Sequence, residues 1–364
     1  MRLSLDQVDR ELGKLWEAES RKGGAARVGL LTLVALANEP ELLGRAQRVV
    51  SDVVRVQPSR TIVASWRPGD SPSITADVAL HRPSEGGAAC GDSITLEAIG
   101  DAREWIPGNA ERLSLPDLPQ CVWWVGDLPD FDDLFERMVV GADVVIVNSQ
   151  EMDLRDLEKL STIALRAQRS YALADLTWIR LRWLQDLIAR FFDDEAGREW
   201  LPRIERVHID YSPREGDRDA MSTRAGLLFG WIANALGLRG DGALWKRGDG
   251  WAEVKVGKLE ARFEQCRRAE VRPGGIVRVA MECPGAKFEI VRLEDPQTFR
   301  WTRDLPGVPT PPHVMHVQSL DESTLLIRCL ERPRRDELLE TSLHVGSRIA
   351  RVVAPRLSVQ PTGP

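Results

Sequence analysis

The chain has 364 residues, 43% of them hydrophobic and 29% charged, with a formal net charge of −6. That length accommodates two domains of ordinary size, each with its own core. The acidic balance argues against a general nucleic-acid binder, and no apolar run approaches the roughly 20 residues that a membrane span needs.

The N-terminus, Met1 to Asp6, carries acids early and lacks the apolar core and cleavage site of a signal peptide, so a cytoplasmic location is expected. Ser4 is a good N-cap, and Leu5, Val8, Leu12, Leu15 and Trp16 follow at helical spacing. Gly23-Gly24 breaks the chain. Residues 27–37 read as a buried strand, and a helix follows from about Pro40 to Val56, with Pro40 at a favourable early position. Thr61 to Trp66 is a second strand. Ser73 to His81 and Ser93 to Ile99 read as a meander around Gly86-Gly87, and residues 104–113 as a helix.

Next comes a short apolar run with two adjacent tryptophans, Val122-Trp123-Trp124-Val125, closed by proline turns at Pro119 and Pro129. Neighbouring side chains on a strand point to opposite faces. Either both faces are sealed, or one tryptophan reaches the carboxyl end of the strand, where open α/β sheets place ligand or partner surfaces. A helix near 130–139, a buried strand from Ala142 to Ser149, a helix from Asp153 to Gln168, a short strand at Tyr171 to Leu173 and an amphipathic helix from Trp178 to Phe192 complete this half. The alternation predicts an α/β domain, a mostly parallel sheet flanked by helices, over residues 1–195.

The pattern changes after Asp193-Asp194-Glu195. Ile204 to Asp210 reads as a strand. Ala220 to Leu236 reads as a helix with Leu227, Leu228, Trp231, Ile232 and Leu236 on its apolar stripe, stopped by Gly237. Short alternating segments follow at Ala252 to Val256, Leu259 to Cys266, Ile276 to Cys283, Ala286 to Leu293, Phe299 to Arg303 and Leu325 to Leu330. They predict an antiparallel sheet packed under the 220–236 helix and a final helix near 335–352. The expectation is a smaller α+β C-terminal domain over 200–364, with the boundary near 193–203.

Signals for catalysis are mostly negative. The chain has no Gly-x-Gly-x-x-Gly, no phosphate-binding Gly-x-x-x-x-Gly-Lys-Ser/Thr and no Gly-x-Ser-x-Gly elbow. His313 and His316 lie three apart and would face opposite ways on a strand, which disfavours joint ligation. The five cysteines, Cys90, Cys121, Cys266, Cys283 and Cys329, include no Cys-x-x-Cys pair and read as reduced buried thiols. Asp127, Asp130, Asp132 and Asp133 suit a helix N-terminus, and Asp193-Asp194-Glu195 a solvated boundary loop. Neither cofactor nor metal is expected. Gln57-Pro58-Ser59-Arg60 is a connecting turn, or else Arg60 meets an anion or an acidic partner. Asp175 is a plausible N-cap. Trp178, Leu181 and Arg182 share one face of the following helix, as a core stripe with a snorkelling arginine or as a partner-binding face.

Four segments, in this order, resemble the OpcA family of glucose-6-phosphate dehydrogenase assembly proteins. They are Pro58-Ser59-Arg60 with Ile62-Val63; Leu118-Pro119 with Val122-Trp123-Trp124; Asp175-Leu176-Thr177-Trp178 with Arg180-Leu181; and Leu227-Leu228-Phe229-Gly230-Trp231-Ile232 with Leu236-Gly237. The resemblance implies a non-enzymatic role: binding glucose-6-phosphate dehydrogenase, promoting its assembly or allosteric activation, and supporting the oxidative pentose phosphate pathway and NADPH supply. Arg60, Trp123, Trp124, Trp178 and Arg182 are the candidate contacts with that partner, being of the residue types that dominate interfaces. The fold pattern by itself leaves an alternative open, an α/β sugar-phosphate- or nucleotide-binding protein or enzyme. Its cleft would be lined by Asn148, Ser149 and Asp127 at the ends of strands.

Overall fold

A computed structural model describes residues 3–22, 29–37, 39–82, 91–128, 133–166, 169–215, 221–238, 243–331 and 335–354. Gly23-Gly24, Gly86-Gly87, Cys90, Asp130, Asp132 and Ala220 lie outside the described residues. In chain order the first half contains α1 (Val8–Ser20), β1 (Thr32–Ala37), α2 (Leu43–Val56), β2 (Arg60–Arg67), β3 (Ser73–His81), β4 (Gly91–Ile99), α3 (Ile106–Leu113), β5 (Gln120–Val125), α4 (Asp133–Val139), β6 (Val144–Val147), α5 (Asp156–Ala164), β7 (Ala172–Asp175) and α6 (Leu176–Ala189). There follow α7 (Glu195–Arg198), β8 (Arg206–Tyr211), α8 (Thr223–Ala235), β9 (Ala243–Gly248), β10 (Trp251–Val256), β11 (Leu259–Gln265), β12 (Ile276–Cys283), β13 (Ala286–Arg292), β14 (Thr298–Asp304), β15 (His313–His316), α9 (Glu322–Glu331) and α10 (Glu337–Val353). No helix among the described residues is long and apolar enough to cross a membrane.

The chain divides into two compact units that are each discontinuous in sequence. One comprises 1–151, 167–179 and 320–336; the other comprises 152–166, 180–319 and 337–364. A single boundary near 193–203 was expected because strand and helix periodicities change there. The chain in fact returns to the first unit with α9.

The first unit is built on a seven-stranded sheet in the order β3-β4-β2-β1-β5-β6-β7. All neighbours run parallel except β3 and β4. From β4 to β7 this is the strand order of a doubly wound sheet, with its switch point between β1 and β5. The central strands are apolar along their length because helices cover both faces. In register, Ala35 pairs with Trp123 and Leu36 with Trp124. One face is filled by Leu33, Ala35, Val63, Trp123, Val125 and Ile146 under Val50 and Val53 of α2 and Leu325, Leu326, Cys329 and Leu330 of α9.

The Leu325–Leu330 segment, read as a strand from its short apolar alternation, is therefore helical. Its apolar positions recur at i, i+1, i+4 and i+5, a helical stripe, and the face of α2 supplies what that stripe buries against. β3 pairs antiparallel with β4, as the expected meander has it, and β3 rather than a helix makes the crossover from β2 to parallel β4.

The second unit contains an eight-stranded sheet in the order β15-β14-β13-β12-β8-β11-β10-β9, antiparallel except where β8 meets β11. One row across it, Trp301, Ile290, Val279, Ile209, Phe263 and Ala252, is buried. The next row, on the other face, reads Arg300, Val291, Arg278, Asp210, Glu264 and Trp251. This alternation is the mark of a sheet covered on one side. α8 and α10 pack closely enough that a Cβ on Gly230 would stand 2.1 Å from the Ser342 carbonyl oxygen.

Candidate functional site

The carboxyl edge of the doubly wound sheet is the place to look, since ligands of such sheets sit there. Both tryptophans of β5 approach it. Trp123 and Trp124 are 0% and 1% exposed. Trp123 belongs to the cluster under α2 and α9. Trp124 faces the other way, edge-on to Trp66 at 6.3 Å and to Phe135 at 5.6 Å. Its indole N–H donates to the Asp127 carbonyl at 2.9 Å, across a turn made by Gly126 at φ 95°. Of the two readings open to this strand, the sealed one holds: each face carries an aromatic, and neither reaches solvent.

Arg60 is also inside, 6% exposed. Its Nε and NH2 donate to the two oxygens of Asp92 at 2.8 and 3.0 Å, and NH1 donates to the Leu113 carbonyl at 3.0 Å. The Trp16 indole donates to the same carboxylate at 3.1 Å. A buried charge persists only when paired and hydrogen-bonded in this way. Trp178 is 3% exposed and donates to Asp336 at 2.9 Å. Four of the five expected contact residues thus have their side chains turned into the fold, while Arg182 on α6 is exposed.

The ends of β6 and β7 are tied together by a chain of polar side chains. Ser149 Oγ donates to Asp175 Oδ2 at 2.6 Å, and the Ser149 and Thr177 amides donate to Asp175 Oδ1. Thr177 Oγ1 donates to Asn148 Oδ1 at 3.1 Å, and Asn148 Nδ2 to Glu151 Oε1 at 2.7 Å. Glu151 and Glu322 converge on the guanidinium of Arg45 in the first turn of α2. Nε donates to Glu322 at 2.7 Å, NH1 to Glu151 at 2.9 Å, and NH2 to both. Burial opposes the charge on Arg45, but the hydrogen bonds to Glu151 and Glu322 outweigh it and raise its pKa. Asn148 and Ser149 are 5% and 0% exposed, so two of the three residues expected to line a cleft are instead internal braces, while Asp127 is exposed.

The first strand-to-helix turn is equally unsuited to a dinucleotide. A pyrophosphate needs close backbone approach over glycines at the helix N-terminus. Here the turn carries exposed Glu39, Pro40 and Glu41. Two carboxylates repel phosphate, and the nearest guanidinium is already neutralised by Glu151 and Glu322.

In the second unit, His208, Asp210 and Glu264 bring one ligand atom each within 4.8 Å of one another. His208 Nε2 lies 2.8 Å from Asp210 and 3.3 Å from Glu264. Arg278 NH1, which can only donate, contacts His208 Nδ1 at 3.0 Å. That contact uses the lone pair of Nδ1 and leaves Nε2 on the side of the two carboxylates. The carboxylates also meet cations on this sheet face, Asp210 with Arg278 at 3.6 Å and Glu264 with Arg262 at 2.9 Å. The described cysteines form no disulfide, and burial pushes the Cys121 thiol up to about 12.

The molecule is thus a two-unit protein of doubly wound α/β and α+β type whose ligand edge is filled by its own side chains. Residues 50–164 match the profile of the glucose-6-phosphate dehydrogenase subunit N-terminal domain, and residues 171–343 that of its C-terminal domain. The chain belongs to this family, OpcA. It is 28% identical over 243 residues to an OpcA protein of Synechocystis sp., covering 64% of this chain and 48% of that one. It is 30% identical over 250 residues to an OpcA protein of Synechococcus elongatus, covering 66% and 54%. Both relatives are named for the OxPP cycle, and the chain spans about half the length of each. Among solved structures, an NAD binding oxidoreductase from Klebsiella pneumoniae is similar with a TM-score of 0.48 and 11% identity, covering 89% of this chain and 96% of that one.

Proposed function

We propose that this chain is a non-enzymatic assembly factor and allosteric activator of glucose-6-phosphate dehydrogenase, acting in the cytoplasm and supporting the oxidative pentose phosphate pathway and NADPH supply. The observation that carries the reading is the match of both halves of the chain to the two domains of that family. The carboxyl edge is compatible with it: among the described residues Arg45, Glu151, Glu322, Asn148 and Asp175 are engaged with one another or with neighbouring side chains there. A protein without its own chemistry acts on an enzyme by binding one of its states more tightly than another, and it shifts the enzyme only by that difference. The test is a pull-down with purified cognate dehydrogenase, followed by steady-state kinetics with and without this protein. A complex with a lower apparent KM for glucose 6-phosphate or a higher rate is expected. A dehydrogenase that neither binds nor changes its kinetics overturns the reading.

A further inference from the structure

The uncovered face of the eight-stranded sheet carries its charges in an order that is complementary to itself. Three rows of side chains cross that face from β14 to β10. One row has Arg300 and Arg278 on one side of the β12–β8 pair and Asp210 and Glu264 on the other. The next reads Thr302, Glu289, Ala280, His208, Arg262 and Glu253. The third reads Asp304, Lys287, Glu282, Arg206, Glu260 and Lys255. The side chains of Arg206, Glu260 and Lys287 are 63%, 52% and 44% exposed. These groups are bonded sideways to neighbours in their own sheet: Arg206 to Glu282 at 3.1 Å, Lys255 to Glu260 at 2.9 Å and Arg278 to Glu289 at 2.8 Å. A guanidinium has five N–H donors and a carboxylate about four acceptor sites, so sideways bonds leave capacity for a second layer.

We propose that this face is the contact between two copies of this chain, related by a two-fold axis that runs along the strands between β12 and β8. The inference is independent of the function proposed above. About such an axis each row stays in register, and each strand covers the partner's strand at equal distance on the other side. Arg278 meets the partner's Asp210, and Glu282 meets the partner's Arg206; these two matches follow from pairing within one sheet. The matches further out do not follow from it. Glu289 meets the partner's Arg262, Lys287 the partner's Glu260, and Asp304 the partner's Lys255, while Arg300 comes over the ring of the partner's Trp251. Across the three rows no two like charges face each other. Other placements fail this test. An axis across the strands at the middle row sets Glu289, Arg262 and Glu253 each against its own image. An axis along β8 sets Lys287 against the partner's Lys255 and Glu289 against the partner's Glu253. An axis along β12 sets Arg206 against the partner's Lys287. Like-charge contacts are what exclude a wrong geometry. The extent also suits a dimer: eight strands, about 4.8 Å apart and about 20 Å long, present roughly 700 Å², near the ~800 Å² per partner of a standard interface.

The experiment uses the full chain. Sedimentation velocity over a concentration series measures the dimer dissociation constant of the wild type, Lys287→Glu, Glu260→Lys and the double variant, each checked for folding by circular dichroism. Lys287 on β13 and Glu260 on β11 have two strands between them, so within one chain neither reversal repairs the other. Across the proposed axis they are partners. The expected result is a wild-type dimer whose dissociation constant rises about tenfold or more with either single reversal, because each occurs twice in a two-fold contact. The double variant should return to near the wild-type constant. A wild type that stays monomeric throughout the series overturns the inference. So does a dimer that neither reversal loosens, since its contact then lies elsewhere, and so does a double variant as weak as the singles, since that removes this axis. A monomeric wild type whose binding to purified cognate dehydrogenase is lost in Lys287→Glu overturns it as well, the face then belonging to that partner. Should a reversal fail to fold, Lys287→Gln and Glu260→Gln replace it. Each is expected to raise the constant several-fold, and an unchanged constant in both overturns the inference.

Discussion

Trp124 and Trp105 belong to the same unit and lie near the same edge of its sheet, yet one is sealed and the other stands in solvent. Trp124 has Trp66 and Phe135 against its faces and an acceptor for its N–H. Trp105 lies three residues after buried Ala102 and just before buried Ile106, and its own side chain is left outside. The difference teaches that a tryptophan's value to a fold or to a partner is set by what lies on both sides of it, not by its prominence in the sequence. It also separates two halves of the edge: one closed by internal hydrogen bonds, the other with an indole in solvent.

That comparison can be broken or sharpened by substitution. The largest effect is expected at the buried groups. Trp124→Ala removes the centre of the aromatic cluster and should cost about 3–5 kcal/mol of unfolding free energy in denaturant titration. Asp92→Ala should fall in the same range, about 3–5 kcal/mol, because it strands the Arg60 guanidinium in the core. If either variant melts like the wild type, the sealed half of the comparison fails. Glu322→Gln leaves Arg45 with Glu151 alone and should cost about 1 kcal/mol, with faster amide exchange confined to α9.

A pH effect comes next. His81 lies between Ser51 and Ser93, and burial, with help from Arg55, lowers its pKa from 6.5. The unfolded chain therefore binds the proton more readily than the folded one. The contribution of His81 to stability is complete above 6.5 and declines as pH falls from there to the lowered folded pKa. His81→Gln should flatten the stability profile in that window, and an unchanged slope by thermal melts counts against the assignment. The smallest effect on stability is expected for Trp105→Ala, within about 0.5 kcal/mol of wild type, as for an exposed side chain outside the core. A large loss of stability there would place Trp105 with Trp124 and erase the contrast.

Much of the first unit is legible along the chain. Apolar runs bounded by turn residues mark β1, β5 and β6, and their two-sided burial follows from parallel neighbours. The candidate site is less legible, for reasons that differ by residue. Arg60 sits in a polar turn, and the Asp92 that buries it lies 32 residues away. Trp178 looked like a helix-face residue, and its partner Asp336 is 158 residues distant. The exposure of Trp105 has a local signal: Ala102, Ile106, Ala110 and Leu113 form the apolar stripe, and Trp105 falls off it.

Local periodicity, which depends on neighbours a few residues apart, determined by itself the α/β character of the first half and the mostly antiparallel sheet of the second. The missing glycine-rich turn after β1 is likewise written in Glu39, Pro40 and Glu41. Only the tertiary structure decided that α9 covers the face of α2, that Arg45 gathers Glu151 and Glu322, and that the double tryptophan is core while Trp105 is surface. Burial and ion pairing are contacts between segments far apart in the chain, and no local pattern encodes which distant segment arrives.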